Sequence, residues 1–111
     1  MRAIEMLILP QTPPADQLPP ELRVNTKYRV SLEDGRTFML FLEQGRLKLE
    51  EGKGEADCVV NCTMEQFQQM LSGKLNLLTA FMRGDMSMSG NIEAAGRLYR
   101  YLRLARNGGH P

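Results

Sequence analysis

Ala56 to Leu98 read ADCVVNCTMEQFQQMLSGKLNLLTAFMRGDMSMSGNIEAAGRL, and within this stretch the hydrophobic period changes three times. Cys58, Val60 and Cys62 face one way and Val59 and Asn61 the other, which is the alternation of a strand. Thr63 then caps a helix, with Gln66 three residues on as in a capping box. Met64, Phe67, Met70 and Leu71 fall on one helical stripe, and Gly73 ends it. Asn76 caps a second short helix, Leu77 to Arg83, with Leu78, Phe81 and Met82 apolar; Gly84 stops it. Met86 and Met88 alternate with Ser87 and Ser89 in a short strand. Gly90-Asn91 turns the chain, and a last helix follows from about Ile92 to Arg106, with Ile92, Ala95, Tyr99 and Leu102 on one face. Gly108 and Gly109 end it.

Upstream, the period is two. Tyr28, Val30 and Leu32 alternate with Arg29 and Ser31, and Asp34-Gly35 marks a hairpin turn. Arg36 to Glu43 is apolar on both faces, with Phe38, Leu40 and Leu42 on one and Met39 and Phe41 on the other. Such a strand is central or has a covered outer face. Gln44-Gly45 turns again, and Leu47 and Leu49 alternate in a third strand before the Gly52-Lys53-Gly54 loop. Strands precede helices, so the class is α+β: a five-stranded, mostly antiparallel sheet with helices on one face. The first four strands read as an antiparallel meander, joined by a fifth after a helical crossover.

Four landmarks of the quoted stretch resemble the sterol carrier protein 2 family. They are Ala56-Asp57 before the strand, Ser72-Gly73-Lys74-Leu75-Asn76 after the first helix, Ala80-Phe81-Met82-Arg83-Gly84, and Ser89-Gly90-Asn91. The resemblance implies a sheet and helices enclosing an apolar tunnel that binds sterols, fatty acids, acyl-CoA or isoprenoid lipids without turning them over. Two departures stand out. The family's long amphipathic first helix is replaced by a proline-rich arm, and Leu77 stands where a proline is common. The first departure leaves a wall open, which a partner chain, as in a homodimer, would supply.

Five of the six prolines lie between Pro10 and Pro20, where neither regular helix nor a central strand can form. The organisation read from this is an arm over 1–26, a lipid-binding body over 27–107 and a tail over 108–111. Ala3 to Leu9 adds a strand or a helical turn. The chain of 111 residues is 42% hydrophobic with a formal charge of +1, too neutral to hold nucleic acid by its field. The apolar run Met6 to Leu9, bracketed by Glu5 and Pro10, is too short for a signal-peptide core or a membrane span. The expected location is cytoplasmic.

The function expected is carriage of an apolar lipid, without catalysis, cofactor or metal. Pocket candidates on the strands are Phe38, Leu40, Leu47, Leu49, Val60, Met86 and Met88. Those on the helices are Phe67, Met70, Leu71, Leu78, Phe81 and Met82. Any one of these is more often plain core than pocket wall; the set, with eight methionines in the chain, suits a pocket accepting varied shapes. Arg97, Arg100 and Arg103 on the last helix are candidates for an anionic headgroup or transient membrane contact, against a plain solvated face. Tyr99 reads as core edge, and Tyr101 as a pocket mouth or interface. Cys58 and Cys62, roughly 13 Å apart along a strand, are too far apart to pair and read as small apolar core groups. Asp57 reads as fixing the start of its strand. No nucleophile–histidine set is available, because the one histidine is His110 in the tail. The alternatives are an accessory subunit of a lipid-modifying assembly with its pocket filled, and, least, an isomerase using Asp57 or Asp85.

Overall fold

The computed structural model describes Leu7 and residues 9–106. The readings for Ala3 to Leu9 and for the tail lie, wholly or mostly, outside the described residues. Among the described residues, two 3-10 turns, Ala15–Gln17 and Pro20–Arg23, precede five strands and three helices. In chain order these are β1 (Thr26–Leu32), β2 (Thr37–Glu43), β3 (Arg46–Glu51), β4 (Cys58–Cys62), α1 (Met64–Leu71), α2 (Leu77–Met82), β5 (Ser87–Gly90) and α3 (Ile92–Arg106).

The signals that end each element act as their chemistry dictates. Gln44 and Gly45 both adopt positive φ, the pair of left-handed residues that a tight hairpin between right-twisted strands requires. At α1, Thr63 Oγ1 accepts from the Gln66 amide while Gln66 Oε1 accepts from the Thr63 amide, so two amides left without helical partners are satisfied reciprocally. Asn76 Oδ1 accepts from Leu78 and Thr79 at the start of α2.

The sheet order is β3-β2-β1-β4-β5, and this corrects the meander. β4 runs parallel to β1, with Tyr28 opposite Cys58 and Val30 opposite Val60; the other three pairings are antiparallel. The physical reason lies in which strand suits an edge: β3, exposed at Arg46, Lys48, Glu50 and Glu51, takes the outer position, whereas the better buried β1 is paired on both sides by β2 and β4. The β3–β4 connection runs across the face turned away from the helices. There Arg29 Nη1 donates to the Gly54 carbonyl, and Met39 lies against Gly54 and is buried. This is the cover that an outer-face Met39 demanded. The connection can be short because β3 ends level with Val30 and β4 begins level with Tyr28.

Asp57 locks that connection. Its amide donates to the Lys27 carbonyl, its Oδ2 accepts from the Lys27 amide, and its carbonyl accepts from the Asn91 amide. The start of β4 is thereby tied both to β1 and to the turn before α3.

The core lies between the sheet and the helices. Tyr28, Val30, Phe38, Leu40, Leu42 and Val60 meet Phe67, Met70, Leu71, Leu77, Leu98 and Leu102 there. The buried stripe of α3 is Ala94, Ala95, Leu98, Tyr101, Leu102 and Ala105, rotated from the expected Ile92, Ala95, Tyr99 and Leu102. Tyr101 is therefore core and Tyr99 only half-buried. Two phenols fix this rotation: Tyr28 donates to the Ala94 carbonyl at 2.5 Å and Tyr101 to the Gly45 carbonyl at 2.7 Å. The proline-rich N-terminal stretch is packed down through buried Leu7, Leu18 and Leu22.

Candidate functional site

Three surface grooves take up parts of the expected lipid-binding set. The first has a cavity volume of about 540 Å³ and lies between the arm, α1 and α3. Its lining is Leu9, Pro10 and Gln11 from the arm, Gln68, Leu71 and Ser72 from the end of α1, and Ala105 and Arg106 from α3. The floor is apolar because Leu71 and Ala105 sit on the buried stripes of their helices. The rim is polar because Gln68, Ser72 and Arg106 fall on the opposite, exposed faces. Gly73, at φ +77°, lets α3 come close: a Cβ there would stand 2.9 Å from the Leu102 carbonyl oxygen and 3.1 Å from Arg106 Cβ.

The second groove opens at the ends of β1 and β4 and is lined by Leu32, Glu33, Cys62, Gln66, Phe81, Asp85 and Met86 among others. Burial, with a smaller push from Glu33, raises the Cys62 thiol to about 12, and burial raises Cys58 as well. Both thiols are therefore protonated and unreactive at neutral pH, and both are free. Asp85 is half of an exposed pair with Arg83 at 3.6 Å. The third groove lies between the second 3-10 turn, α2 and α3, lined by Glu21, Asn76, Leu78, Glu93, Gly96, Arg97, Tyr99 and Arg100.

The expected set divides among these places. Phe38, Leu40, Val60, Phe67, Met70 and Leu71 are fully buried and pack together, with the Phe38 and Phe67 rings 5.7 Å apart. Met86 and Met88 are buried, and Leu47, Leu49, Leu78 and Phe81 half-buried against the same cluster. Met82 is 83% exposed, on the side of α2 opposite Leu77 and Ala80. Leu71 thus reaches the first groove, Phe81 and Met86 the second, and Leu78 the third together with Arg97 and Arg100. Arg103 is exposed and lines none of the three. Leu9, Gln68, Ser72 and Ala105 line the first groove from outside the expected set. The available signal was Leu9 itself, an apolar residue at the mouth of a proline-rich arm that needs something to lie on.

The molecule is thus a layer of helices on a mixed sheet, with an apolar-floored groove beside the segment of four landmarks. The profile of the SCP-2 sterol transfer family matches residues 9–103. The chain belongs to the SCP-2 sterol transfer family. It is 35% identical over 77 residues to human hydroxysteroid dehydrogenase-like protein 2, covering 68% of this chain and 18% of that protein. It therefore spans about a fifth of that curated relative's length. A fatty acid-binding protein from Yarrowia lipolytica (strain CLIB 122 / E 150) is 34% identical over 55 residues, covering 50% of this chain and 43% of that one. Among solved structures, the UbiJ-SCP2 ubiquinone synthesis protein superposes with a TM-score of 0.64 at 19% identity, over 77% of this chain and 75% of that one. That likeness is one of fold, and it agrees with the SCP-2 sheet-and-helix architecture seen here. Among the described residues, no three His, Cys, Asp or Glu side chains come together as a metal site, and no helix is long and apolar enough to cross a membrane.

Proposed function

We propose that this SCP-2 chain binds an apolar lipid and carries it without chemical change, the ligand's hydrocarbon lying in the first groove. The observation that supports this most directly is an apolar floor, Leu71 and Ala105, under a hydrophobic part of the arm, Leu9 and Pro10. The groove volume of about 540 Å³ falls within the range of ~300–1,000 Å³ common to ligand clefts. Burying hydrocarbon there contributes ~0.8 kcal/mol per methylene, so an acyl, isoprenoid or sterol body is the class of guest that gains most. The name of the Yarrowia relative, a fatty acid-binding protein, points the same way. In this reading the arm over 1–26 is a detachable wall on a lipid-binding body over 27–107. Transient contact with a membrane surface in the cytoplasm loads the groove.

Displacement of a bound fluorescent fatty acid by unlabelled lipids tests the proposal. Saturable displacement by one or more lipid classes, weakened by Leu71→Asp or Ala105→Asp at the groove floor, is the expected result. Absence of displacement by any lipid class up to its solubility limit overturns it.

A second reading is favoured by the packed interior. The side chains expected to line a tunnel, Phe38, Val60, Phe67 and Met70 among them, are wholly buried against one another. On that reading the chain is an accessory subunit of a lipid-modifying assembly, and it co-purifies with a lipid enzyme while retaining no lipid of its own.

A further inference from the structure

The third groove holds a charge that the fold leaves unmatched. Arg97 is half-buried on α3, and its Nε is buried with no hydrogen-bond partner. Among the described residues, its Nη2 reaches Thr26 Oγ1 alone, at 3.5 Å, a long contact at the limit of a hydrogen bond. Among the described residues no carboxylate stands within ion-pair distance of it; Glu93, one turn earlier on the same wall, stays beyond 4 Å. A buried guanidinium N–H without an acceptor is costly, because the charge-assisted bond it gave up in water is not replaced. Three residues on, Arg100 faces the same groove and is engaged by Glu21 at 3.1 Å. Both partners of that pair are more than half exposed, and such a pair exchanges readily. Asn76 completes the wall: its Oδ1 is committed to the backbone of α2, so its NH2 end is the one left for a ligand.

The space matches the chemistry. The groove has a volume of about 640 Å³, and part of its floor is Gly96, where a Cβ would already touch Leu78 Cδ1 at 3.4 Å. Two guanidinium groups three residues apart on one helix face form a fork for the planar or tetrahedral oxygens of an anion.

We infer that this groove is an anion site, in which a phosphate or carboxylate group is held by Arg97 and Arg100 and takes the place of Glu21 on Arg100. The site is distinct from the first groove. It also touches the arm, because Glu21 belongs to the 3-10 turn Pro20–Arg23, and an anion that displaces Glu21 releases the arm's ionic hold on α3. Anion binding and arm seating therefore oppose each other, and by linkage each weakens the other equally.

The test is a titration of the full chain with inorganic pyrophosphate, followed by amide NMR shifts. The expected result is saturable shifts centred on Gly96, Arg97 and Arg100. Arg97→Gln should weaken binding roughly tenfold or more, the value of a charge-assisted contact. Glu21→Gln should tighten it about two- to fivefold by removing the competitor. Arg100→Gln, at a half-exposed position, serves if Arg97→Gln does not fold. A parallel arm measures sedimentation with phosphatidylcholine vesicles, with and without phosphatidic acid. Phosphatidic acid-dependent binding that falls in Arg97→Gln identifies a lipid headgroup as the source of the anion. Vesicle binding that is indifferent to Arg97, with pyrophosphate binding lost, identifies a soluble phosphate. Shifts scattered over all exposed lysines and arginines without saturation, or affinity unchanged in both arginine variants, overturn the inference.

Discussion

The Tyr101 hydroxyl donates to the carbonyl of Gly45 at 2.7 Å, joining the last helix to the tight turn between β2 and β3, 56 residues apart in sequence. Leu18 of the arm packs onto the same glycine, so closely that a Cβ there would stand 2.6 Å from Leu18 Cδ2. Three distant parts of the chain thus meet at one glycine. Tyr101→Phe keeps the ring and strands that carbonyl in a buried place. The expected loss is ~1–3 kcal/mol of stability, read from the denaturant midpoint with an unchanged slope. A loss below a few tenths would mean that water reaches the carbonyl.

Glycine 90 and glycine 84 both adopt positive φ, but only one is crowded. A Cβ on Gly90 would stand 2.5 Å from the Asp57 carbonyl oxygen, whereas at Gly84 nothing lies within 4 Å. Gly84→Ala therefore carries the backbone term alone, ~1–2 kcal/mol. Gly90→Ala must also push β4 and β5 apart at the point where Asp57 ties them, and should cost clearly more. Thermal melts of the two variants side by side give the difference; equal melting temperatures would contradict the close approach.

Alkaline pH should destabilise the fold through groups that folding keeps protonated. Cys62 rises from the ordinary thiol value of 9.0 to about 12, and burial raises Cys58, Tyr28 and Tyr101 in the same direction. Each is an acid that the unfolded chain releases first. Stability is thus intact below the unfolded value and declines as pH climbs above it, by up to ~1.4 kcal/mol per pH unit for each proton involved. Urea denaturation from pH 7.5 to 10.5 should show the decline, and Cys62→Ala should flatten it. A slope unaffected by that variant would remove Cys62 from the account.

Phe67 and Phe81 were equal members of the expected pocket, and the structure separates them. Phe67 is completely buried against Phe38, so Phe67→Ala should cost ~3–5 kcal/mol. Phe81 is half-buried on the wall of the second groove and should cost well under that. Met82→Gln, at an 83% exposed position, should fall within about ±0.5 kcal/mol of the parent. Equilibrium unfolding of the three variants checks the order.

Local chemistry carried the reading furthest. Both halves of the Thr63–Gln66 capping box form, and Asp57 fixes its strand as expected. What stayed hidden was decided by tertiary partners. The alternation of Cys58, Val60 and Cys62 suits either edge of the sheet equally, so it could not tell a parallel neighbour of β1 from an antiparallel neighbour of β3. Along α3, alanines and tyrosines recur so often that several phases look amphipathic; the hydrogen bonds of Tyr28 and Tyr101 choose among them. The grooves were legible only in part because polar or small residues such as Gln68, Ser72 and Gly96 form their walls, and nothing in a hydrophobic pattern marks these.

The parallel seam between β1 and β4 has a consequence for biosynthesis. As the chain leaves the ribosome, β1, β2 and β3 emerge as a finished hairpin ladder while β4 is still inside the exit tunnel. Until Cys58–Cys62 arrive, the future centre of the sheet is an outer rim whose main-chain amides and carbonyls invite any passing extended peptide. Once they have left the tunnel and paired, that rim is closed, and the open edges of the sheet are β3, studded with the charges of Arg46, Lys48, Glu50 and Glu51, and the four-residue β5.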